Sequence, residues 1–479
     1  MDVFFATGEV SGDLLIKDIC KELRKQWYSI NKEKRFLFSD LNLAGLVGKY
    51  SAAEGVVNVL ERSDLPIIGY DPQKYDTWKK ILLILSNELR QASPRVFIAV
   101  SHHLFNLPLA TKLPPKTKKI LIAPPEIWGW QINWKGKLLY HTRAIHLIFA
   151  VYYLISKIPI LCKVMPQKLQ QWQITDLKLI FTIIKFVIHR GRYSLKLFDK
   201  LMCITPINAE IYQKLYSKRK KDVVFVGHPA ARYSRESFKD AVVRFRKQHL
   251  IPENVHMLNI FPGSRNETVN LLLPEMLKSA LQILNKHSNI YCYVSIADKC
   301  LARYIVEQID KAKINTGAPQ RLGTTTVDAK ILLANSSHTL LSSGTITLYA
   351  SLLGIPGTVM YDLDETLKLL RPIVTRQKIG TIKKIEAPFA LPNALLLYSG
   401  WPKEKLPYEE FVLPKKTFNI SNIIENIEKH IRAFPRDYSF ENAPCLHRDT
   451  INAVRQTITP KTFSSAEAII AKGIIKYLR

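Results

Sequence analysis

Cysteines are few in this sequence and stand in no arrangement that suits a metal site or a set of disulfides. The 479 residues include six cysteines, scattered along the chain without a CxxC pair. Structural zinc sites and disulfide-rich secreted domains space their cysteines closely and regularly. The sequence therefore excludes both classes and favours a protein that folds in a reducing compartment.

From its pattern we expect neither a leader peptide nor an apolar run long enough to span a membrane. The chain opens with a strand-like segment and not with a basic stretch followed by an apolar core. Two apolar runs, "IHLIFAVYYLISKIPIL" and "LKLIFTIIKFVI", are shorter than the ~20 residues that cross a bilayer, and both contain lysine. We therefore expect the protein to stay on the cytoplasmic side of the membrane.

Acidic residues are scarce beside basic ones. The chain has 40 Asp and Glu against 69 Lys and Arg, a formal net charge of +29. Such an excess calls for an anionic partner, which can be nucleic acid, anionic lipid or a phosphorylated substrate. The basic residues lie among aliphatic runs, without the aromatic and glycine spacing of RNA-binding sheets, so we expect no nucleic-acid partner.

Much of the basic excess falls in one segment of the chain. Between residues 135 and 200 there are twelve Lys and Arg against two Asp, and both apolar runs lie there. Apolar helices flanked by cations are typical of segments that lie on an anionic membrane surface, and we predict such an insertion at about 138–198. A buried helical hairpin with a basic outer face and a membrane-spanning hairpin are the alternatives.

Strand-like and helical patterns alternate along most of the chain. A strand at Val3–Thr7 precedes a helix at 13–25, and the second half repeats this order from residue 222 onward. Alternation of this kind predicts an α/β protein with two parallel sheets, each covered by helices on both faces. We place an N-terminal Rossmann-like domain at 1–205, a second at 206–432 and a helical tail at 433–479, which packs back on the first domain or on its own.

Glycine-rich loops follow several of the predicted strands. Ligands bind at the carboxyl ends of strands in open parallel sheets, and these loops lie at that edge. Glycine allows a phosphate to approach the backbone, and a helix that starts there offers free N–H groups. The loops at 262–265 and 342–345 form a pair of this kind and predict a diphosphate site in the second domain.

Five segments, taken in order, resemble one enzyme family. "ATGEVSGDLL", "PPEIWGW", "VGHP", "FPGSR" and "SSGTITL" are similar to motifs of lipid-A-disaccharide synthases, and more loosely to those of other nucleotide-sugar glycosyltransferases. The likeness covers about residues 1–135 and 200–435, and the basic segment between them is an insertion. It implies the GT-B fold, in which two Rossmann-like domains face each other.

The resemblance also implies a reaction. A 2,3-diacylglucosamine would pass with inversion from its UDP conjugate to 2,3-diacylglucosamine 1-phosphate, a phosphorylated glycolipid acceptor. The enzyme would need no metal and no cofactor besides the UDP-sugar, and it would work at the cytoplasmic surface of the inner membrane. A homodimer is left open.

By the same resemblance, two groups of residues form the site. The UDP-binding group is Gly263, Ser264, Arg265, Ser343, Gly344, Thr345, Tyr349 and Asn393. The group on the sugar or acceptor side is Gly8, Glu9, Ser11, Gly12, Asp13, Asn106 and Trp128. For Ser11 and Asp13 the alternative is a purely structural role as helix caps.

The sequence departs from the family at two positions. Ser101 stands where the family has an aspartate that serves as the catalytic base or supports it, and a neutral hydroxyl cannot take that proton at pH 7. His102, His103 or Glu9 could act as the base instead. Tyr349 stands where the family has a glutamate, and related enzymes use an acid on this helix to bind the ribose. These changes keep open the alternative of a catalytically degenerate lipid-binding or scaffold protein. A soluble, epimerase-like enzyme of the same architecture that acts on free UDP-sugars is a further alternative, which the hydrophobic insertion disfavours.

Overall fold

The chain forms two compact units. The computed structural model describes residues 1–8, 10–34, 40–59, 75–101, 103–124, 197–215, 222–316, 321–362, 388, 390–413, 420–435, 438–462 and 464–478. The first unit consists of Met1–Pro229 and Ile458–Arg479, and the second of Ala230–Thr457. Residues 138–196 of the predicted insertion lie outside the described residues.

A seven-stranded sheet forms the centre of the first unit. Its order is β3-β2-β1-β4-β5-β6-β7, and every neighbouring pair is parallel. Strands buried on both faces read as continuous apolar runs, as "VFFAT" and "VFIAV" do here. The strands are β1 Val3–Thr7, β2 Leu43–Leu46, β3 Val57–Asn58, β4 Val96–Val100, β5 Lys118–Ile122, β6 Lys200–Cys203 and β7 Val223–Phe225.

Helices connect these strands and cover the sheet. Buried side chains of the first helix, such as Ile16, Ile19 and Leu23, pack against apolar residues of β1 and β4. This is the stripe that its apolar spacing predicts. The helices are α1 Val10–Lys34, α2 Lys49–Ala52, α3 Tyr75–Ala92, α4 His103–Lys112 and α5 Pro206–Leu215.

The second unit contains a six-stranded parallel sheet in the order β10-β9-β8-β11-β12-β13. Its strands are β8 His256–Phe261, β9 Ile290–Ser295, β10 Leu322–Thr325, β11 His338–Ser342, β12 Gly357–Asp362 and β13 Tyr408–Leu413. Its helices are α6 Lys239–Gln248, α7 Asn266–Lys286, α8 Ala302–Thr316, α9 Ala329–Ala334, α10 Thr345–Leu352, α11 Leu391–Tyr398, α12 Ile420–Ile431 and α13 Arg448–Ile458.

The last helix returns to the first unit. Helix α14, Ala466–Leu478, buries Ile470 and Ile474 in the same apolar cluster as residues of α1. Gln26 Nε2 donates a hydrogen bond to the carbonyl oxygen of Ala468 at 3.1 Å, which ties the two helices at their edges. The tail expected at 433–479 is therefore divided: its part up to Thr457 belongs to the second unit, and Ile458–Arg479 belongs to the first.

The units divide further along the chain than the sequence indicated. The predicted boundary lay at residue 206, whereas the first unit continues to Pro229. The reason is that β7 still pairs with β6, so this stretch completes the first sheet. Within the described ranges, no helix combines the length and the apolar character needed to span a membrane.

Each sheet reverses its strand order beside its first strand. In the first unit the reversal falls between β1 and β4, and in the second between β8 and β11. In doubly wound sheets a crevice opens at this point, at the carboxyl ends of the two strands, and ligands bind there. The loops at 262–265 and 342–345 follow β8 and β11, so they lie at the reversal point of the second sheet.

Candidate functional site

The two glycine loops of the second unit lie side by side. Strands β8 and β11 pair with Phe261 opposite Leu341, so the chain leaves both strands at the same level. A Cβ added to Gly263 would lie 3.4 Å from Ser342 Oγ, which shows how closely the loops approach. Gly263 has φ +112° and Gly344 has φ +137°, backbone conformations that glycine adopts without strain.

Both loops lead directly into helices whose first turns suit an anion. Arg265 is the residue before α7 and Gly344 is the residue before α10, and in the described chain no side-chain acceptor of either cap residue occupies the first N–H groups of these helices. Ser264, Arg265 and Thr345 are exposed. Helix N-termini, flexible glycine backbone and an exposed guanidinium together could hold two neighbouring phosphates.

Tyr349 lies one turn beyond Thr345 on α10, in a cluster of aromatic rings and a cation. Its ring meets the ring of Tyr233 edge to face at 5.7 Å between centroids. Lys330 Nζ lies 5.4 Å from the centre of Tyr349 and 5.5 Å from that of Tyr233. Asp328 Oδ2 is 2.8 Å from the same ammonium group, whose side chain is only 14% exposed. Tyr349, which the sequence predicts to contact the nucleotide, is therefore part of an aromatic surface. The Lys330 ammonium group, paired with Asp328, lies beside this surface.

Asn393 belongs to the interior of the second unit. Its Nδ2 donates to the carbonyl oxygen of Tyr408 at 2.8 Å and to Glu410 Oε1 at 2.7 Å. Its Oδ1 accepts from the backbone N–H of Tyr408 at 3.4 Å. These bonds fix α11 to β13, and a contact of Asn393 with the nucleotide stays a prediction.

In the first unit, α1 starts very close to the end of β1. A Cβ on Gly12 would stand 2.0 Å from Thr7 Oγ1 and 3.4 Å from Val100 Cγ1, so only glycine allows this approach. Gly8 is buried in the turn between strand and helix, and Ser11 is exposed at the start of the helix. The "GEVSGD" stretch thus makes a tight strand-to-helix turn at the reversal point of the sheet.

Asp13 caps a helix, though not its own. The buried carboxylate accepts hydrogen bonds from the backbone N–H groups of Gly48, Tyr50 and Ser51 at 2.9, 3.1 and 3.2 Å. Ser51 Oγ donates a further bond to it at 2.5 Å. The carboxylate therefore satisfies the first turn of α2 and joins that turn to α1. A role for Asp13 at the reacting centre stays a prediction.

Ser101 follows β4 in a strained conformation. Its φ of +52° is in the left-handed region, which costs a residue other than glycine ~1–3 kcal/mol. Asn106, fully buried on α4, donates from Nδ2 to the carbonyl oxygen of Ser101 at 2.9 Å. The two residues that the sequence assigned to the reacting side are therefore directly bonded to each other.

The remaining predicted residues of this side fall outside what the structure describes. Glu9, His102 and Trp128 lie outside the described residues, and of His103 only its place at the start of α4 is described. The choice of a base among Glu9, His102 and His103 stays a prediction.

Lys330 and the bond from Asn106 to Ser101 are features that sequence reasoning missed. Lys330 lies on α9 and Tyr349 on α10, and no sequence motif connects them. The five-residue spacing of Ser101 and Asn106 was visible, but the left-handed backbone that brings them together was not.

Comparison with known proteins gives one family over most of the chain. The profile of the lipid-A-disaccharide synthetase family matches residues 3–152 and 189–380. The lipid-A-disaccharide synthase of Francisella tularensis subsp. novicida is 23% identical over 467 residues, with 94% of this chain and 95% of that protein covered. The enzyme of the same name from Sulfurihydrogenibium sp. is 22% identical over 381 residues and 76% of each chain.

Solved structures show the same fold. The S. aureus MnaA–UDP co-structure superposes with a TM-score of 0.52 and 11% identity, over 100% of this chain and 97% of that chain. UDP-GlcNAc 2-epimerase from Neisseria meningitidis bound to UDP-GlcNAc gives 0.52 and 13%, over 99% and 100%. Two Rossmann-like parallel-sheet units of this kind make up the GT-B fold. The chain belongs to the lipid-A-disaccharide synthetase family, and it is a glycosyltransferase of lipid A synthesis.

Proposed function

We propose that this protein transfers 2,3-diacylglucosamine from UDP to 2,3-diacylglucosamine 1-phosphate, with inversion at the anomeric carbon. The observation that carries the proposal is the pair of glycine loops at the reversal point of the second sheet, each leading into a helix N-terminus. The names of the curated relatives support this reaction over others that use the same fold.

The donor diphosphate binds at the two loops of the second unit. Arg265 neutralises charge that develops on UDP as it leaves, and the N–H groups of α7 and α10 add to this stabilisation. Such groups can replace a metal ion, so the transfer needs none. The UDP and UDP-GlcNAc named with the two solved structures support a UDP-sugar as donor.

The acceptor binds at the reversal point of the first sheet. Its sugar hydroxyl attacks the anomeric carbon, the bond from that carbon to UDP breaks, and the hydroxyl proton passes to a base. The Ser101 hydroxyl is neutral at pH 7 and cannot take the proton. The adjacent His102 or His103 fits the task, because an imidazole titrates near pH 6.5, and Glu9 is the other candidate.

The membrane surface is the place of reaction. Donor and acceptor carry acyl chains, and a net charge of +29 draws the protein to the anionic cytoplasmic face of the inner membrane. A second candidate function is a non-catalytic lipid-binding or scaffold protein, which the serine at position 101 favours.

A product assay separates the two candidates. Purified protein is incubated with UDP-2,3-diacylglucosamine and 2,3-diacylglucosamine 1-phosphate in mixed micelles, and disaccharide and UDP are followed by mass spectrometry. The transferase forms both products in equal amounts. The scaffold forms neither, yet sediments with vesicles that contain anionic lipid.

Arg265→Ala and Arg303→Ala serve as a matched pair in this assay. Arg303 is also in the second unit, on α8, and its 92% exposed side chain pairs only with Glu307 among the described residues. We expect the first variant to lose at least about 100-fold in kcat/KM, the range measured when one charge-stabilising donor is removed. The second should keep wild-type activity.

A further inference from the structure

We infer that Asn106 is a positioning residue, which holds the strained turn at Ser101, directly after β4, on the side proposed for the acceptor. This inference rests on the proposed transferase function. The sequence assigned Asn106 to substrate contact, whereas its buried side chain is bonded to the protein's own backbone.

The amide of Asn106 lies at the reversal point of the first sheet. Nδ2 donates to the carbonyl oxygen of Ser101 at 2.9 Å and lies 3.4 Å from that of Val100 and 3.5 Å from that of Ala6. Ala6 and Val100 belong to β1 and β4, the strands on either side of the reversal. One side chain therefore spans the ends of both strands and the first residue after β4.

Ser101 is held from two sides. Its backbone N–H donates to the carbonyl oxygen of Ile122 at 3.0 Å, which continues the pairing of β4 with β5 by one residue. Its carbonyl oxygen accepts from Asn106. Because φ is +52°, the turn opposes its own conformational preference and needs these bonds to persist.

The orientation of the amide follows from its neighbours. Three carbonyl oxygens face Nδ2, so a flipped amide would point its own oxygen at them. Oδ1 is then buried without a hydrogen-bond partner in the described part of the chain. A buried acceptor left unsatisfied opposes folding, which indicates that the bonds of Nδ2 are what keep the side chain in place.

The neighbouring strand supplies a comparison. Ala123 follows β5 with φ +49°, and its N–H donates to the carbonyl oxygen of Met202 at 3.0 Å. It repeats the strained turn of Ser101, and no side-chain bond to its carbonyl oxygen is present in the described chain. We call the hydrogen bond from Asn106 Nδ2 to the carbonyl oxygen of Ser101 the clamp. Ala123 is therefore a matched control, because its turn is strained in the same way but has no clamp.

Hydrogen exchange on the full-length protein tests the clamp by itself. In Asn106→Ala we expect protection of the backbone amides at 97–107 to fall by at least about tenfold, with the segment at 257–266 of the second unit unchanged. In a Ser101→Gly background the left-handed turn carries no strain. Asn106→Ala should there lower the protection of the same amides by less than about threefold. In an Ala123→Gly background, Asn106→Ala should again lower this protection by about tenfold.

Kinetics test whether the clamp serves the reaction. Asn106→Ala should lower kcat by at least about tenfold, since small displacements of reacting groups are costly, and leave the Kd of UDP within about twofold. Equal losses of protection in all three backgrounds, or an unchanged kcat, would overturn the inference. Wild-type protein without turnover would contradict the transferase itself, whereas the exchange experiment judges the clamp in either case.

Discussion

At the scale of single residues, buried polar side chains organise the strand ends of the first unit. Asp13 and Asn106 are both fully buried, and each bonds to backbone groups that lie outside regular hydrogen-bond ladders. Buried polar groups require such partners, because an unmade hydrogen bond in the interior is expensive. Side chains therefore stabilise the turns that follow β2 and β4, in addition to the backbone hydrogen bonds.

The variant Asp13→Asn tests whether the buried carboxylate stabilises the start of α2. In this variant the N–H groups of Gly48, Tyr50 and Ser51 lose their hydrogen bonds to a charged acceptor. The NH2 group of the new amide would also face an N–H group, so that two donors point at each other. We expect a loss of ~1–3 kcal/mol in the free energy of unfolding, measured with urea. Glu22→Gln, which removes an exposed ion pair with Lys25 on the same helix, should cost less than ~1 kcal/mol. Equal losses in both variants would contradict the capping role.

At the scale of elements, a parallel sheet and the helix after its first strand meet through a glycine. Gly12 allows α1 to start against Thr7, which brings the helix N-terminus to the carboxyl edge of the sheet. Close packing of helix on strand by a small residue is a general requirement of this turn in dinucleotide-binding folds. The same packing places Gly8 and Ser11 at the predicted acceptor side.

Gly12→Ala should separate α1 from β1. Its Cβ would stand 2.0 Å from Thr7 Oγ1 inside a buried region, so the Thr7 side chain, the strand or the helix must shift, and we expect ~1–3 kcal/mol of destabilisation by urea unfolding. Gly473→Ala on α14 is the control. Its Cβ would meet the flexible end of Met202, at 2.4 Å from Cε, and that side chain can move aside. A larger loss for Gly473→Ala than for Gly12→Ala would refute the close-approach argument.

The fold and the loops were predictable from sequence because both depend on local patterns. Continuous apolar strands, helical stripes and glycines at strand ends are visible in short windows, and the α/β fold with two parallel sheets is confirmed. The two glycine loops after β8 and β11 follow from the same patterns, and their binding of a diphosphate stays a prediction.

The other features of the fold and of the candidate site depend on contacts between distant parts of the chain. Asp13 binds the start of α2, 35 residues later in the chain, and Lys330 of α9 lies over the ring of Tyr349 on α10. The extension of the first unit to Pro229 requires the pairing of β7 with β6. Neither composition nor periodicity carries such information, so these features emerged only in three dimensions.

At the scale of the whole molecule, both units bury a histidine in its neutral form. Burial lowers the pKa of His228, in the first unit, from 6.5 to about 4. In the second unit, burial and then the nearby His430 lower the pKa of His338 well below its usual value. Groups of this kind connect stability to pH, because the unfolded chain binds a proton that the folded chain rejects.

Acidification should therefore destabilise both units. The contribution of each histidine is complete above pH 6.5, the unfolded value, and is lost as the pH falls toward the folded value, which is about 4 for His228. For His228 the full effect is ~3 kcal/mol at 1.36 kcal/mol per pKa unit. Urea unfolding at pH 7.5, 6 and 5 should show a free energy of unfolding that falls as the pH falls. The fall should be smaller in His228→Gln than in the wild type. Constant stability between pH 7.5 and 5 would contradict this linkage.

The central claim is that the paired glycine loops bind the donor's diphosphate, and calorimetry of UDP tests it most directly. We expect wild-type protein and Arg303→Ala to bind UDP with the same affinity, and Arg265→Ala to bind at least about tenfold more weakly, as loss of a charge-assisted contact implies. Absence of UDP binding in the wild type, or equal affinity in Arg265→Ala, would contradict the account.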